Sequence, residues 1–316
     1  MNERLLEILR IALNYRVSDI HFSLSENGST LIEMRVDGRI RQLRSGESDG
    51  RLFHYLMYRA NLDVSSVFEP QTGSFEMDVD GRKLSLRFAI MSAWQRTSGV
   101  LRILNSTNRL SIDSLSNDET VKAWMRRIPE MNHGLIIFSG PTGSGKTTAL
   151  YTILDTVKER KIFTLEDPVE VIHENYVQLQ VNEKQMGYAE GIRQLMRHDP
   201  DIIMIGEIRD SLAASMAIRS ALTGHLVVTS LHSFSCIGAI RRMNELGVDP
   251  SALNSVIRGI SNQRLYSDEA GKRTGIYEIM DEADIEYYFE KQCLPEGFRD
   301  ITQKITQASM AGLMPV

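Results

Sequence analysis

The stretch GLIIFSGPTGSGKTTALYTIL, residues 134–154, constrains the chain more than any other. An apolar run leads into a turn, Gly140-x-x-x-x-Gly145-Lys146-Thr147, and a segment with helical apolar spacing follows. Strand, glycine-rich turn and helix in that order form the context of a phosphate-binding P-loop. Glycine lets the backbone curl until successive N–H groups point at phosphate oxygens. The helix N-terminus adds the positive end of its dipole. The predicted cradle is Gly140, Pro141, Thr142, Gly143, Ser144, Gly145, Lys146, Thr147 and Thr148. Lys146 is expected to reach the β- and γ-phosphates of ATP, and Thr147 to ligate Mg²⁺.

Such a site also needs acids from neighbouring strands. KIFTLEDPVE ends an apolar run at Glu166, Asp167 and Glu170, and DPDIIMIGEIRD ends another at Gly206-Glu207. With HLVVTSL, these runs alternate with helical segments, which predicts a mostly parallel sheet covered by helices. In open α/β sheets the strands' C-terminal ends face the ligand crevice, so both acidic groups are expected on the phosphate side. Glu207 is assigned the metal shell, bound through water, and Glu166 the polarising of the attacking water. Sequence alone leaves the two roles exchangeable.

TGHLVVTSLH holds two histidines seven positions apart around an apolar strand. An odd separation puts them on opposite faces, roughly 23 Å apart at about 3.3 Å per residue, too far to share a metal ion. His232, at the strand's C-terminal end, is expected near the γ-phosphate. His225 is expected to tie neighbouring elements together or to serve a subunit contact.

Residues 1–104 read differently. An amphipathic N-terminal helix precedes alternating strands with Asp37-Gly38 and Asp80-Gly81 as hairpin turns. DGRLFHYLMYRANLD between them has helical spacing. This predicts a small α+β domain at 1–104, a polar linker at 105–120 and a P-loop domain at 121–316. Ser116 or Asn117 is the expected cap of a helix in SNDETVKAWMRRI. The first 104 residues carry 14 Lys and Arg against 13 Asp and Glu, the remainder 22 against 28. That balance gives no broad pull toward nucleic acid. Cys236 and Cys293 are too few and too far apart for a Cys-x-x-Cys site. No apolar run approaches the roughly 20 residues that span a bilayer.

The motif set resembles the secretion ATPases of type II secretion, type IV pilus assembly and competence pseudopilus systems. GPTGSGKTT is similar to that family's Walker A, TLEDPVE to its Asp box, and LMRHDPDIIMIGEIRD to its atypical Walker B, with Gly206 before the acid. TGHLVVTSLH is similar to its His box. SDIH (18–21), RVDG (35–38), QRL (263–265) and GKRTGIYEI (271–279) extend the likeness over nearly the whole chain. The resemblance implies a hexameric cytoplasmic motor, with an N-terminal domain linked to a RecA-like P-loop ATPase domain. It implies nucleotide between the domains and near a neighbouring subunit, reached by N-terminal-domain arginines; Arg87 and Arg102 stand where these are expected. Its implied partner is a polytopic inner-membrane platform protein that adds pseudopilins to a filament, with no direct nucleic-acid contact.

Departures from the family pattern narrow the subtype. QRLYSDEAGKRTGIYE crosses the place of the usual tetracysteine loop without cysteine, so no zinc is expected. SAWQRTSG replaces the PTxxGE stretch, SDIH comes 18 residues in, and no AIRNLIRE-like segment marks a retraction motor. The expectation is a short competence-type ATPase that supports a pseudopilus for DNA uptake, held at the cytoplasmic face of the membrane through a partner. Retraction and type II secretion motors are the alternatives within the class. A nucleic-acid-stimulated RecA-like motor and a nucleotide-loaded scaffold are the rivals outside it.

Overall fold

A computed structural model describes residues 1–316 except 16, 18, 37–38, 45, 47–48, 66–68, 105–109, 170 and 182–185. The Asp37-Gly38 turn, Glu170 and the first part of the expected linker lie outside the described residues. The chain forms two compact units, residues 1–108 with 168–173, and residues 109–167 with 174–316.

The first unit contains α1 (Asn2–Asn14), β1 (Asp19–Ser25), β2 (Thr30–Val36), β3 (Arg39–Gln42), α2 (Asp49–Arg59), β4 (Gln71–Val79), β5 (Arg82–Ala93) and β6 (Arg96–Leu104). Its strands form one antiparallel sheet in the order β3-β2-β1-β6-β5-β4. Period-two alternation buries one face against α1 and α2, in a core that includes Leu5, Phe22, Phe53, Phe88 and Leu101. Phe88 meets Phe22 and Phe53 edge to face, with centroids 6.0 and 5.4 Å apart. Gly99 permits this packing, because a methyl group there would fall 2.7 Å from both Phe53 and Phe88. The Asp80-Gly81 turn joins β4 to β5 as expected, with φ of 55° and 80° and Val79 paired to Arg82.

The second unit begins with α3 (Ile112–Leu115) and α4 (Glu119–Arg127), followed by a 3-10 turn at Ile128–Glu130. Helix α3 and the start of α4 therefore fall inside the stretch 105–120 expected to be a linker. The cap of α4 is neither Ser116 nor Asn117 but Asp118, whose carboxylate accepts from Thr120 N–H at 3.0 Å. Ser116 instead accepts from Asp118 N–H at 3.2 Å and shapes the turn before the cap.

The unit continues with β7 (Gly134–Ser139), α5 (Lys146–Leu154), β8 (Ile162–Glu166), β9 (Tyr176–Gln180), α6 (Tyr188–Leu195), β10 (Ile202–Ile205), α7 (Ser211–Leu222) and β11 (Leu226–Leu231). After these come α8 (Cys236–Glu245), α9 (Pro250–Val256), β12 (Ile257–Ser267), β13 (Arg273–Met280), α10 (Glu282–Lys291), α11 (Ile301–Met310) and β14 (Met314–Pro315). The sheet order is β13-β12-β7-β11-β10-β8-β9, and β14 also pairs with β12. Strands β12 to β9 are parallel, while β13 and β14 run antiparallel to β12. The central strands β7, β8, β10 and β11 are buried at every position, as continuous apolar runs require of a sheet covered on both faces. Helices α6 to α9 cover one face against Leu135, Ile137, Leu165, Ile203 and Val227. Trp124 of α4 packs on Phe138 from the other, with ring centroids 5.7 Å apart.

Strands β11 and β12 follow one another along the chain yet flank β7 on opposite sides. That reversal is a topological switch point, where open α/β sheets leave a crevice at the strands' C-terminal ends. The P-loop opens into it.

Candidate active site

The loop after β7 has the backbone that its glycines predicted. Gly140, Gly143 and Gly145 take φ of 146°, 78° and 89°. Gly140 has a second constraint, since a methyl there would lie 2.6 Å from the carbonyl oxygen of Gln263 and 2.8 Å from Ser144 Oγ. Gly145 in the left-handed conformation starts α5, so Lys146 is its first helical residue. Lys146 Nζ curls back over the loop and donates to the carbonyls of Gly140 and Pro141, both at 2.9 Å. Burial pushes this ammonium below its ordinary value, while the charge of Glu207 opposes the shift. Ser144 Oγ is buried with no hydrogen-bond partner among the described residues, and Thr142, Gly143 and Thr148 are exposed at the loop's rim. A curled backbone with a buried ammonium beside it fits a polyphosphate.

Glu207 stands two residues beyond β10. Its Oε1 lies 3.3 Å from His232 Nε2, and Arg209 donates to Oε2 at 3.0 Å. Arg209 also reaches Asp167 Oδ2 at 3.4 Å. The hydrogen bond with Glu207 holds the Arg209 guanidinium above its ordinary value. The hydroxyl of Ser230 in β11 donates to the Gly206 carbonyl at 2.6 Å and clamps the base of this acid. Gly206 is closely packed, because an added Cβ would meet Leu165 O at 3.0 Å and Glu166 Cα at 3.4 Å. The glycine of the atypical Walker B thus lets β10 end against β8.

His232 and Glu207 come together at the ends of adjacent strands. His225 stays at the far end of β11, where its Nδ1 lies 3.1 Å from both the Ser220 carbonyl and Thr223 Oγ1. It ties the end of α7 to the start of β11, which is the first of the two roles expected of it.

Glu166, expected to polarise the attacking water, is turned into its own unit. Only 3% exposed, its carboxylate accepts from the hydroxyls of Tyr151 and Thr164, the latter at 2.6 Å, and from the Gln178 amide at 3.1 Å. Those three donors leave it holding α5, β8 and β9 together rather than facing water.

Arg87 and Arg102 belong to the first unit, where they are register partners across β5 and β6 on the face away from its core. Asp19 faces Arg102 from β1, and Arg102 Nε donates to its Oδ1 at 2.6 Å.

Three residues of β12 complete the site and were not among the expected ligands. Gln263 Nε2 donates to the Ser144 carbonyl at 2.6 Å, directly beneath the P-loop. Asn262 Nδ2 donates to Ser139 Oγ at 2.8 Å, and Arg264 reaches the loop after His232. The QRL motif was the available signal, but no local pattern in it names the P-loop as its contact. Tyr188 is a fourth omission. Its hydroxyl approaches Gly206, and burial together with the charges of Asp167, Glu207 and Glu166 keeps the phenol protonated. Beyond the site, β12 and β13 form a hairpin closed at Asp268, whose Oδ1 accepts from Lys272 N–H at 2.8 Å.

The chain matches the type II/IV secretion system protein family over residues 1–305. Competence protein ComGA of Bacillus subtilis is 38% identical over 256 residues, covering 79% of this chain and 72% of that protein. Type II secretion system protein E of Pseudomonas aeruginosa is 38% identical over 264 residues, covering 82% of this chain and 52% of that protein. The chain therefore spans about half the length of such type II secretion relatives. Among solved structures, the pilus retraction motor PilT with bound ADP superposes with a TM-score of 0.81 at 26% identity, covering 98% of this chain and 94% of that one. The Legionella pneumophila ATPase DotB shares the fold, with a TM-score of 0.71 at 20% identity over 97% of this chain and 91% of that one. Motifs, fold and relatives agree, and the chain belongs to the type II/IV secretion system protein family.

Proposed function

We propose that the chain is an ATP hydrolase that drives assembly of a type IV pilus-like pseudopilus. The observation that carries this reading is the convergence of Lys146 on the P-loop with the Glu207–His232 pair at the ends of β10 and β11. In hydrolysis the oxygen of water attacks the γ-phosphorus, the bond to the β–γ bridging oxygen breaks, and ADP, phosphate and a proton leave. Lys146 neutralises developing phosphate charge, and the loop's N–H groups orient the chain of phosphates. Thr147 and, through water, Glu207 would hold Mg²⁺, which supplies further charge neutralisation. Glu207 rather than Glu166 is the better candidate to polarise the attacking water, because its side chain is 21% exposed while Glu166 is consumed by donors of its own unit. His232 orients Glu207.

ComGA supports a role in competence DNA uptake, and the type II secretion relatives and PilT keep secretion and retraction as alternatives within one motor class. The proposed assembly is a homo-hexamer at the cytoplasmic face of the membrane. It acts on a polytopic platform protein and through that on pseudopilins. No helix of the described residues is long and apolar enough to cross a membrane, so a partner would supply the attachment. A nucleic-acid-driven motor has less support, given the acidic balance after residue 104.

The test measures mass in solution with and without ATP and Mg²⁺, and phosphate release from the same samples, for wild type and Glu207→Gln. A nucleotide-dependent hexamer whose turnover stops with the substitution supports the motor. A wild type that binds ATP without turnover, with or without a platform protein, refutes it in favour of a scaffold.

A further inference from the structure

Arg264 is a partly buried cation at the phosphate end of the sheet that none of the steps above employs. One terminal nitrogen donates to Asn262 Oδ1 at 2.7 Å and to the Gln263 carbonyl at 2.9 Å. The other donates to the Phe234 carbonyl at 3.1 Å. These acceptors lie on two sides of the crevice. The Gln263 carbonyl is the atom against which Gly140 packs, with only 2.6 Å to a methyl placed there. Phe234 lies two residues beyond His232. Asn262 runs parallel to the same link, donating to Ser139 Oγ at 2.8 Å and to the Ser233 carbonyl at 3.1 Å. Strand β12 thus braces the start of the P-loop to the turn that carries His232, across β7.

We infer that Arg264 is a positioning residue for hydrolysis, its fork holding the His232 turn in register with the P-loop. The inference rests on the hydrolase reading. Its described acceptors are Asn262 Oδ1 and the carbonyls of Gln263 and Phe234. A planar fork can span such separated acceptors, and a lysine ammonium of equal charge cannot do so with the same geometry. Arg264 and Lys146 also repel, which acts on the Lys146 ammonium in the same direction as its burial.

The experiment compares wild type, Arg264→Lys and Arg264→Gln, each alone and combined with His232→Ala. Phosphate release yields kcat, and titration with a fluorescent, non-hydrolysable ATP analogue yields affinity. Thermal melting confirms folding. Loss of alignment at a reacting centre is expected to lower kcat by about tenfold or more, with affinity changed less than about threefold. Lysine is expected not to restore the rate. In the His232→Ala background, Arg264→Gln is expected to cost less than about threefold, because both changes disrupt one unit. Restoration by lysine, affinity falling in step with rate, or fully additive losses would each overturn the inference. If Arg264→Gln does not fold, Asn262→Ala tests the same brace: an unchanged kcat would overturn the inference. Wild type without phosphate release refutes the hydrolase reading and this inference together; wild-type turnover matched by the variants refutes the inference alone.

Discussion

His232 Nε2 lies 3.3 Å from Glu207 Oε1, joining the ends of neighbouring strands β11 and β10. The two residues are 25 positions apart and meet because Ile205 pairs with Thr229 in parallel register, which leaves both chain ends pointing into one crevice. The imidazole orients an acid that Arg209 grips from its other oxygen.

Replacing His232 by Ala should free one carboxylate oxygen of Glu207 without touching the P-loop. The expected loss in kcat is about 10²-fold, at the lower end of what a positioned acid–base group contributes. Affinity for nucleotide should stay within a few fold. Steady-state phosphate release with a parallel binding titration checks both.

Lys146→Ala should abolish hydrolysis and leave the fold intact. Lys146 is 8% exposed and its ammonium donates to the carbonyls of Gly140 and Pro141 in its own loop, so the helix beneath keeps its contacts. Circular dichroism should match wild type while phosphate release disappears. A retained rate would refute the P-loop assignment.

Glu166→Gln and Glu207→Gln should separate two acids that the motifs could not rank. Glu166→Gln turns an acceptor into a donor opposite Tyr151, Thr164 and Gln178, so its main effect should be destabilisation by about 1–3 kcal/mol. Glu207→Gln should lose far more activity and little stability. Urea unfolding beside turnover measurements shows which pattern each variant follows.

Gly206→Ala should be costly despite its small size. The new methyl would press at 3.0 Å on the Leu165 carbonyl, a backbone atom of the neighbouring strand that cannot rotate away. Overpacking of this kind costs about 1–3 kcal/mol. Glu207 should shift with it, so a lower unfolding midpoint should accompany reduced turnover.

Glu278 offers a pH test. Buried at the end of β13, its Oε1 accepts from Cys236 N–H and its Oε2 from Ile301 N–H, each at 3.0 Å, and so caps α8 and α11 together. Burial raises this carboxyl above its ordinary 4.5. Between 4.5 and the raised value, the folded chain keeps a proton that the unfolded chain has released. Stability contributed by this group therefore falls as pH rises through that window. Glu278→Gln does not titrate and misplaces a donor against one of the two N–H groups, which should cost about 1–3 kcal/mol at pH 5. The advantage of wild type over this variant should shrink as pH rises, as denaturation at several pH values would reveal.

The local chemistry of the P-loop was legible in the sequence because glycine spacing, a preceding apolar strand and a following helix act within a dozen residues. The same holds for the Asp80-Gly81 hairpin and for the alternation that makes β4 and β5 a half-buried pair. Strand-end logic also carried His232 and Glu207 to the same crevice, since parallel strands must end on one side. Tertiary structure decided what depends on neighbours distant in sequence. Glu166 and Glu207 both end apolar strands, yet only packing against Tyr151 and Gln178 turns the first inward. Asp118 rather than its neighbours caps α4 because Ser116 is drawn into the preceding turn. Asn262, Gln263 and Arg264 join the site only because β12 crosses over to the far side of β7, more than a hundred residues along the chain from the P-loop it braces. Spacing along a chain reports local backbone geometry, whereas the partner of a buried polar group is set by which strands lie side by side.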